Sequence, residues 1–256
     1  MGIIKPTNKL VESFKNLHLY HTGFSNCAMR VRIALEEKGL SWTSHLINLS
    51  KGENLTKEYI SINPNAVVPT LIDNGIVIID SADIIDYLDK KFSFNPLRPR
   101  AEKDEELMYE WMYLARDNHL SIKTYMYSNM TSSQNMKRSV ETMDEYRKNQ
   151  TFDTALLAFH ERFNSNEGFT KNELNKATTI INNCFSRMDM RLQDHDWLAG
   201  DNFSLADIAW IPQLVILKVV NYPFENYPHL EKWKNAIMQR PSFKQGVLDW
   251  LPEMKK

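Results

Sequence analysis

The spacing of hydrophobic and polar positions changes along the chain and divides it into two parts. In residues 17–92, short apolar runs alternate with stretches of helical period. The first helix is expected to end at Gly39, because glycine favours a helix C-terminus. A turn at residues 73–75 joins a predicted hairpin, and Ser81 is the expected cap of the next helix. The predicted elements are, in order, a strand at 17–20, a helix at 27–39, a strand at 41–49, a hairpin at 67–79 and a helix at 81–92.

After this region the strand patterns disappear and helical periods take their place. Residues 102–127 have a helical pattern, and residues 204–220 are apolar nearly all round, which predicts a buried helix. Ser204 and Asp207 form a capping box at its start, a structural role. Residues 128–165 are polar and predict no definite element. Residues 173–193 carry a clean amphipathic stripe at steps of three and four, made of Leu174, Ala177, Ile181, Cys184, Met188 and Leu192.

The order of these elements predicts two domains. A strand–helix–strand unit followed by a strand–strand–helix unit is typical of a thioredoxin-like α/β sheet with helices on its faces. We place this domain at residues 17–92 and an all-helical domain at residues 101–256. A proline-containing stretch at residues 93–100 is the predicted linker, and residues 1–16 are predicted to form a polar N-terminal arm.

Composition and charge narrow the classes of partner. The chain has 256 residues, of which 43% are hydrophobic and 25% charged, as is ordinary for a globular protein of two domains. Its formal net charge of −1 predicts no nucleic-acid or membrane partner, and no apolar run is long enough to span a bilayer. Cys27 and Cys184 are too few and too distant for a disulfide framework, so we expect a reducing, cytoplasmic location. The histidines show no metal-ligand spacing, and no metal is predicted.

The junction between the first strand and the first helix holds the strongest candidate chemistry. Ser25 and Cys27 lie where a helix begins, and the unpaired N–H groups and partial positive charge there stabilise an anion such as a thiolate. Ser25 can donate a hydrogen bond to a bound thiolate. Cys27 can itself ionise and attack, with Arg30 one turn away to favour its thiolate. A purely structural interpretation is equally open, in which Ser25 or Asn26 only caps the helix and Cys27 is a small buried hydrophobe.

Two further features lie where strands begin or end. Pro69 enters a strand, and in the cis form it turns the backbone N–H and C=O of Val68 towards the site, where they can pair with an extended peptide. Asp80 and Ser81 lie at another helix N-terminus, which binds carboxylates well. Taken singly, an ordinary edge proline and a plain serine cap explain these two features more simply.

Together, at this spacing and in this order, the three N-terminal features resemble those of glutathione transferases. In that family a Ser, Cys or Tyr near the first helix activates glutathione, so the resemblance implies Ser25 for that role. The residue before the cis-proline pairs with the cysteinyl backbone, which implies Val68 with Pro69. An acid–serine pair holds the γ-glutamyl end, which implies Asp80 with Ser81. Aspartate replaces the more usual Glu or Gln at this position and reaches less far. The resemblance also implies glutathione as co-substrate and a homodimer.

The class within the family can be narrowed. Residues 25–40 look like the zeta class, the maleylacetoacetate isomerases, and equally like the tetrachlorohydroquinone dehalogenases, which share a Ser-x-Cys motif before this helix. The spacing from Trp111 to Thr124 and Tyr125, and the long insert after residue 127, favour the dehalogenases. That resemblance implies a small electrophilic acceptor, such as a halogenated aromatic or quinone, walled by Thr124 and Tyr125. It also implies a reductive step through a Cys27–glutathione disulfide. The alternatives are a glutathione-dependent cis–trans isomerase and a non-catalytic binding module.

Overall fold

The computed structural model describes residues 2–150 and 153–251. Residue 1 of the predicted arm lies outside the described residues, as do residues 151–152 and 252–256 of the predicted helical domain.

A five-stranded sheet forms the first part of the molecule. Its strands are β1 (Ile3–Ile4), β2 (Leu17–His21), β3 (Trp42–Leu46), β4 (Thr70–Asp73) and β5 (Ile76–Ile79). Their order across the sheet is β1-β5-β4-β2-β3, with β2 and β3 parallel and the other neighbours antiparallel. Leu17, Leu19 and His21 of β2 are buried and alternate with half-buried residues, as the period of a strand requires. The predicted strands and hairpin are therefore confirmed.

The N-terminal arm adds the fifth strand, which the sequence analysis did not predict. Ile3 pairs with Ile78 and Ile4 with Val77, so the arm extends the sheet beyond β5. A 3₁₀ helix at Lys9–Ser13 follows, and its Val11 is fully buried against the sheet. A strand of two residues is too short to show the alternation of apolar and polar positions by which strands are recognised in a sequence. The polar composition of the arm therefore gave no indication of this strand.

Three helices pack on this sheet: α1 (Asn26–Glu37), α2 (Lys57–Ile62) and α3 (Ser81–Lys91). α1 and α3 were predicted, whereas the short α2 was not. The prediction that Ser81 caps α3 is wrong. The N-cap is Asp80, whose Oδ1 accepts hydrogen bonds from the N–H groups of Ala82 and Asp83, and Ser81 is the first residue of the helix. Both residue types favour N-caps, so composition alone could not decide between neighbours.

The second part of the described chain is entirely helical. Its helices are α4 (Glu102–Asp117), α5 (His119–Asn129), α6 (Val140–Asn149), α7 (Thr154–Asn164), α8 (Lys171–Leu192), α9 (Leu205–Lys218), α10 (Pro228–Met238) and α11 (Pro241–Gly246). The helical pattern at 102–127 is split into α4 and α5 at Asn118. α9 is buried nearly all round and begins with the predicted capping box of Ser204 and Asp207. The polar stretch without a prediction forms α6 and α7.

One hydrophobic core joins the sheet to the helical part, and α1 lies at its centre. α1 packs against α9 and α11 on one side and α3 on another. The approach of α11 is close: a Cβ on Gly246 would lie 2.8 Å from the backbone nitrogen of Ile33. Residues 92–101 connect α3 to α4, and we propose the domain boundary there. Within the two described ranges, no helix combines the length and apolarity needed to cross a bilayer.

Candidate active site

The register of three strands brings the predicted site residues to one end of the sheet. Thr70 at the start of β4 pairs with Tyr20 near the end of β2 and with Ile79 at the end of β5. The loop after β2, the residue before Thr70 and the residue after Ile79 therefore meet at this end. These positions carry the Ser25–Cys27 segment, Pro69 and Asp80.

The first segment is the N-terminus of α1. Ser25 is its N-cap, and its Oγ accepts a hydrogen bond from the Ala28 N–H at 3.3 Å. Ser25 and Cys27 are both half-buried, so each keeps some exposed surface. The hydroxyl oxygen of Ser25 accepts a hydrogen bond from the helix backbone, while the hydroxyl hydrogen remains free for a hydrogen bond to a ligand. Capping and donation to a thiolate are thus compatible at this serine.

Buried polar contacts fix the position of this helix end. The side-chain amide of Asn26 donates to Oε1 of Gln213 on α9 at 2.7 Å, and Gln213 donates in turn to the carbonyl of Ala115 on α4. Arg32 holds the preceding loop, since its guanidinium donates to the carbonyls of Thr22 and Gly23 at 3.0 and 2.9 Å. The segment carrying Ser25 and Cys27 is therefore anchored from both domains.

The second segment is the loop before β4, where the Val68–Pro69 peptide bond is cis. α2 supports this loop: the Tyr59 hydroxyl and the Asn63 side chain donate to the carbonyl of Val67 at 2.6 and 2.9 Å. Among the described residues, the backbone N–H and C=O of Val68 have no hydrogen-bond partner. They form an open edge to which an extended peptide can add two hydrogen bonds.

The third segment is the turn from β5 into α3. Asp80 is exposed and has a positive φ of 64°, a conformation that costs an aspartate on the order of 1–3 kcal/mol and is typical of functional turns. Ser81 is buried, and its Oγ accepts a 2.7 Å hydrogen bond from Nη1 of Arg30. The Ser81 hydroxyl proton therefore remains available to an anionic ligand.

The structure does not show the expected stabilisation of a Cys27 thiolate by Arg30. Besides Ser81, the Arg30 guanidinium binds the carbonyl of Ala209 on α9 through Nε and Nη2, at 3.2 and 2.9 Å. Arg30 thus joins α1, α3 and α9 in the interior. Spacing along the helix put Arg30 one turn from Cys27, but the domain interface determines the direction of its side chain.

A cation that the sequence analysis missed, Lys123 of α5, is influenced electrostatically by Cys27. Burial lowers the pKa of Lys123, and the charge of a Cys27 thiolate acts in the opposite direction. His119, Lys123 and Tyr127 are spaced by four residues and share one face of α5. This spacing was visible in the sequence and is the signal by which Lys123 could have been found.

The predicted acceptor wall, Thr124 and Tyr125, lies on the same helix. Both side chains are half-buried. The Tyr125 ring packs edge-on against Tyr222, with ring centroids 5.3 Å apart, and burial raises the pKa of its hydroxyl. Tyr125 thus borders the helical core, on a side of α5 different from that of Lys123. The assignment of both residues to the acceptor stays a prediction.

The insert of α6 and α7 reaches across to the first domain. Tyr146 of α6 is fully buried in a cluster with Leu55 and Ala66, close to the cis-proline loop. The Gln150 side chain donates to the carbonyl of Asn65 at 2.5 Å. The insert therefore packs beside the loop that carries Val68.

Other features of the described chain lie apart from this chemistry. A groove of about 760 Å³ opens between α2 and α6, lined by Ile60 and Glu145 among others, away from Ser25 and Cys27. Within residues 2–150 and 153–251, no group of three or more His, Cys, Asp or Glu side chains is placed to hold a metal ion.

Comparison with known proteins agrees with this geometry. The model of the glutathione S-transferase N-terminal domain matches residues 19–98, and that of the C-terminal domain matches residues 151–241. A zeta-class glutathione S-transferase of Euphorbia esula is 30% identical over 241 residues, covering 93% of this chain and 92% of that protein. The glutathione S-transferase TCHQD of Arabidopsis thaliana is 26% identical over 239 residues, covering 90% and 89%. The crystal structure of the β-etherase LigF from Sphingobium sp. strain SYK-6 superposes with a TM-score of 0.80 at 24% identity, covering 90% of this chain and 98% of that one. The chain belongs to the glutathione S-transferase family.

Proposed function

We propose that this protein binds glutathione at the end of the sheet and transfers its thiolate to a small electrophilic acceptor. The observation that carries the proposal is the open backbone edge of Val68, set at the same end of the sheet as the N-termini of α1 and α3. An extended tripeptide that pairs with Val68 has its sulfur directed to one helix N-terminus and its γ-glutamyl carboxylate to the other.

Each predicted residue has a distinct role in this arrangement. Val68, preceding cis-Pro69, pairs with the cysteinyl backbone of glutathione. Ser81 donates its hydroxyl proton to the γ-glutamyl carboxylate, while its oxygen accepts from Arg30. Asp80 keeps one carboxylate oxygen on the helix N-terminus, and the other oxygen can bind the γ-glutamyl amine.

Ser25 activates the sulfur. Its hydroxyl donates to the glutathione thiolate, and the helix N-terminus adds a partial positive charge. A thiolate stabilised in this way adds to an electrophilic carbon of the acceptor and, where the carbon carries a halogen, displaces halide. The acceptor is expected beside α5, with Thr124 and Tyr125 as its predicted wall.

A second half-reaction can follow at Cys27. Its thiolate attacks the glutathione sulfur of the conjugate, the sulfur–carbon bond breaks, and the carbon leaves with the electron pair and takes a proton. This step produces the reduced acceptor and a Cys27–glutathione disulfide. A second glutathione then exchanges with that disulfide, releasing oxidised glutathione and the free Cys27 thiol. The half-buried position of Cys27, two residues beyond Ser25, supports this role.

The two alternatives differ in their use of glutathione. A cis–trans isomerase of the maleylacetoacetate type adds and then eliminates glutathione, with no net consumption. A non-catalytic module binds glutathione but turns nothing over. The relatives named above include both a zeta-class and a TCHQD protein, so the chemistry must be decided by experiment.

One screen separates these activities. The protein is incubated with glutathione and, in turn, halogenated hydroquinones, maleylacetone and nitro-substituted aryl halides, while thiol loss and oxidised glutathione are both measured. Reductive dehalogenation yields oxidised glutathione. Conjugation consumes thiol without forming oxidised glutathione, and isomerisation causes no net loss of thiol. Glutathione binding with no turnover of any acceptor would leave only the binding module. In keeping with the family, we also propose that the protein is a homodimer. In keeping with its free cysteines, Cys27 and Cys184, we propose a cytoplasmic location.

A further inference from the structure

The loop that presents Val68 is held at three consecutive carbonyl groups by side-chain donors. Two of the donors belong to the first domain. The Tyr59 hydroxyl donates to the carbonyl of Val67 at 2.6 Å, and Nδ2 of Asn54 donates to that of Ala66 at 2.6 Å. Val68 follows directly, with its own N–H and C=O unpaired among the described residues. The path of the three carbonyls therefore determines where this open backbone edge lies.

The third donor comes from the helical domain. Gln150 is the C-cap of α6 and is 2% exposed, and its Nε2 donates to the carbonyl of Asn65 at 2.5 Å. Its Oε1 accepts from the N–H of Asp153, the N-cap of α7, at 3.1 Å. Because a backbone N–H can only donate, the amide oxygen must face Asp153 and the amide nitrogen must face Asn65. Both ends of the Gln150 amide are thus engaged, one in the insert and one in the first domain.

The conformation of this loop needs support from outside the loop. Ala66 has a φ of 53°, in the left-handed region that a residue with a Cβ adopts only at a cost. It is fully buried in the cluster that Met143 and Tyr146 of α6 form with Leu55, separate from the main core. The insert therefore packs on the strained residue and binds the carbonyl directly before it.

We propose that Gln150 is a positioning residue for glutathione: through the carbonyl of Asn65, the insert holds the loop in the conformation that lets Val68 pair with the tripeptide. Gln150 acts through the loop and not by contact with glutathione. Two hydrogen bonds to an extended peptide require the N–H and C=O of Val68 to be aligned together, and a shift at Asn65, three residues earlier, disturbs that alignment. This inference rests on the proposed function, because it concerns the same glutathione site.

Coupling of this kind is reciprocal. If the insert favours the loop conformation that binds glutathione, bound glutathione must stabilise the packed insert by the same free energy. The apolar cluster between α6 and the first domain is small, so this contact is expected to open more easily than the main core in the free protein. Glutathione should therefore slow hydrogen exchange in α6, although the proposed peptide-binding edge is in the other domain.

The test begins with the binding of S-methylglutathione, which has no thiol to titrate, measured by calorimetry. Gln150→Met removes both hydrogen bonds at similar volume and should raise Kd by about 5- to 10-fold. Steady-state kinetics should show a similar rise in KM for glutathione, with kcat changed less than about twofold, because the sulfur end is untouched. Gln134→Met, which replaces an exposed glutamine on the 3₁₀ helix Ser133–Met136 before α6, is the matched control and should bind as the wild type does.

Gln150→Glu is the sharper variant, because it keeps almost the same shape. Its carboxylate can accept from Asp153 but cannot donate to Asn65, whereas the protonated acid can do both. Burial raises the pKa of a carboxyl, so the acid form is reached at mildly acidic pH. Relative to the wild type at the same pH, Gln150→Glu should bind S-methylglutathione weakly at about pH 8 and recover most of its affinity at about pH 5. Gln150→Met should show no such recovery.

Hydrogen exchange followed by mass spectrometry gives the readout in the other domain. S-methylglutathione should slow exchange in peptides from α6 in the wild type and in Gln134→Met, and this protection should be lost in Gln150→Met. Wild-type affinity in Gln150→Met, or a fall in its kcat as large as the rise in KM, would overturn the inference alone. Failure of the wild type to bind either glutathione or S-methylglutathione would refute the proposed function, and the inference with it. Loss of affinity in Gln150→Met and its recovery in Gln150→Glu at low pH would support the coupling even if no acceptor were turned over.

Discussion

Nη1 of Arg30 donates a 2.7 Å hydrogen bond to the hydroxyl of Ser81, and both side chains are buried. One guanidinium thus orients the residue proposed to hold the γ-glutamyl end of glutathione and, through the carbonyl of Ala209, ties it to the helical domain. The hydroxyl can accept from arginine and donate to a carboxylate at the same time.

Removing that hydroxyl should weaken glutathione binding more than turnover. For Ser81→Ala we expect Kd for glutathione to rise by about tenfold or more, because a hydrogen bond to a charged group is lost, with kcat at saturating glutathione changed much less. Calorimetry and steady-state kinetics measure the two quantities. Ser139→Ala, which removes an exposed helix cap from α6, is the control. If the affinity of Ser81→Ala for glutathione is unchanged, Ser81 has only a structural role and does not bind the γ-glutamyl carboxylate.

Ser25→Ala tests the activating hydroxyl. Loss of one preorganised donor should lower kcat for glutathione transfer by about 100-fold. Loss of the cap should also reduce the free energy of unfolding by about 1 kcal/mol. Ser25→Thr keeps both the hydroxyl and the cap and should retain most of the activity. Near wild-type turnover by the alanine variant in every glutathione-dependent assay would show that Ser25 is only a cap.

Cys27→Ser separates the two halves of the reductive reaction. The variant should still form the glutathione conjugate, because Ser25 remains, but the conjugate should accumulate because a serine hydroxyl cannot form a disulfide with its sulfur. Intact mass spectrometry of the wild type during turnover should show a glutathione adduct that the variant lacks.

The second cysteine supplies the control for that experiment. Cys184 is buried, and burial raises the pKa of its thiol to about 11, so Cys184→Ser should keep the adduct and the turnover. Full reductive turnover by Cys27→Ser would refute the proposed attack of Cys27 on the conjugate. If the Cys27→Ser variant isomerises maleylacetone at a rate only modestly different from that of the wild type, the isomerase alternative would be favoured.

The pH dependence of stability should carry the signature of buried neutral histidines. Burial, with a contribution from Arg32, lowers the pKa of His21 to about 3. Between that value and about 6.5 the unfolded chain binds the extra proton, so His21 contributes stability at neutral pH that is lost as the pH falls. Asp207, whose pKa burial raises to about 6, acts in the opposite direction.

His21→Gln should therefore reduce the slope of unfolding free energy against pH by about 1.4 kcal/mol per unit between pH 4 and 6. Urea unfolding at a series of pH values measures that slope. His195→Gln replaces an exposed loop histidine and should leave it near the wild-type value. The same slope in His21→Gln as in the wild type would mean that His21 is protonated in the folded protein.

A homodimer is the expected assembly, because family membership and the prevalence of two-fold interfaces both favour it. Light scattering at micromolar concentration should give a mass about twice the 30.0 kDa of the chain. A mass equal to that of the single chain would contradict the dimer.

The sequence predicted those parts of the fold that have a strong local signal. The alternation in β2, the stripe of α8 and the capping box at Ser204 each depend on neighbours within a few residues. Strand β1 could not be predicted, since its two residues acquire their conformation only from pairing with β5.

The candidate site likewise contains residues that could be predicted from local sequence signals and contacts that could not. Ser25, Pro69 and Asp80 could be identified because each follows or precedes a strand, and the sheet register then unites them. The partners of Arg30 on α3 and α9 depend on packing between domains, which no local pattern records.

The close fit of α11 against α1 has a consequence for the order in which the protein is made. Arg32, which holds the loop before Ser25, also donates to the carbonyl of Gly246 at 2.7 Å, and Trp250 packs edge-on against His21 at the end of β2. Arg32 and Gly246 are 214 positions apart in the chain, so during synthesis this contact becomes available only after α11 has left the ribosome. The loop before Ser25 and the end of β2 are thus completed by residues 246–250, and a chain that terminates before α11 is left without that support.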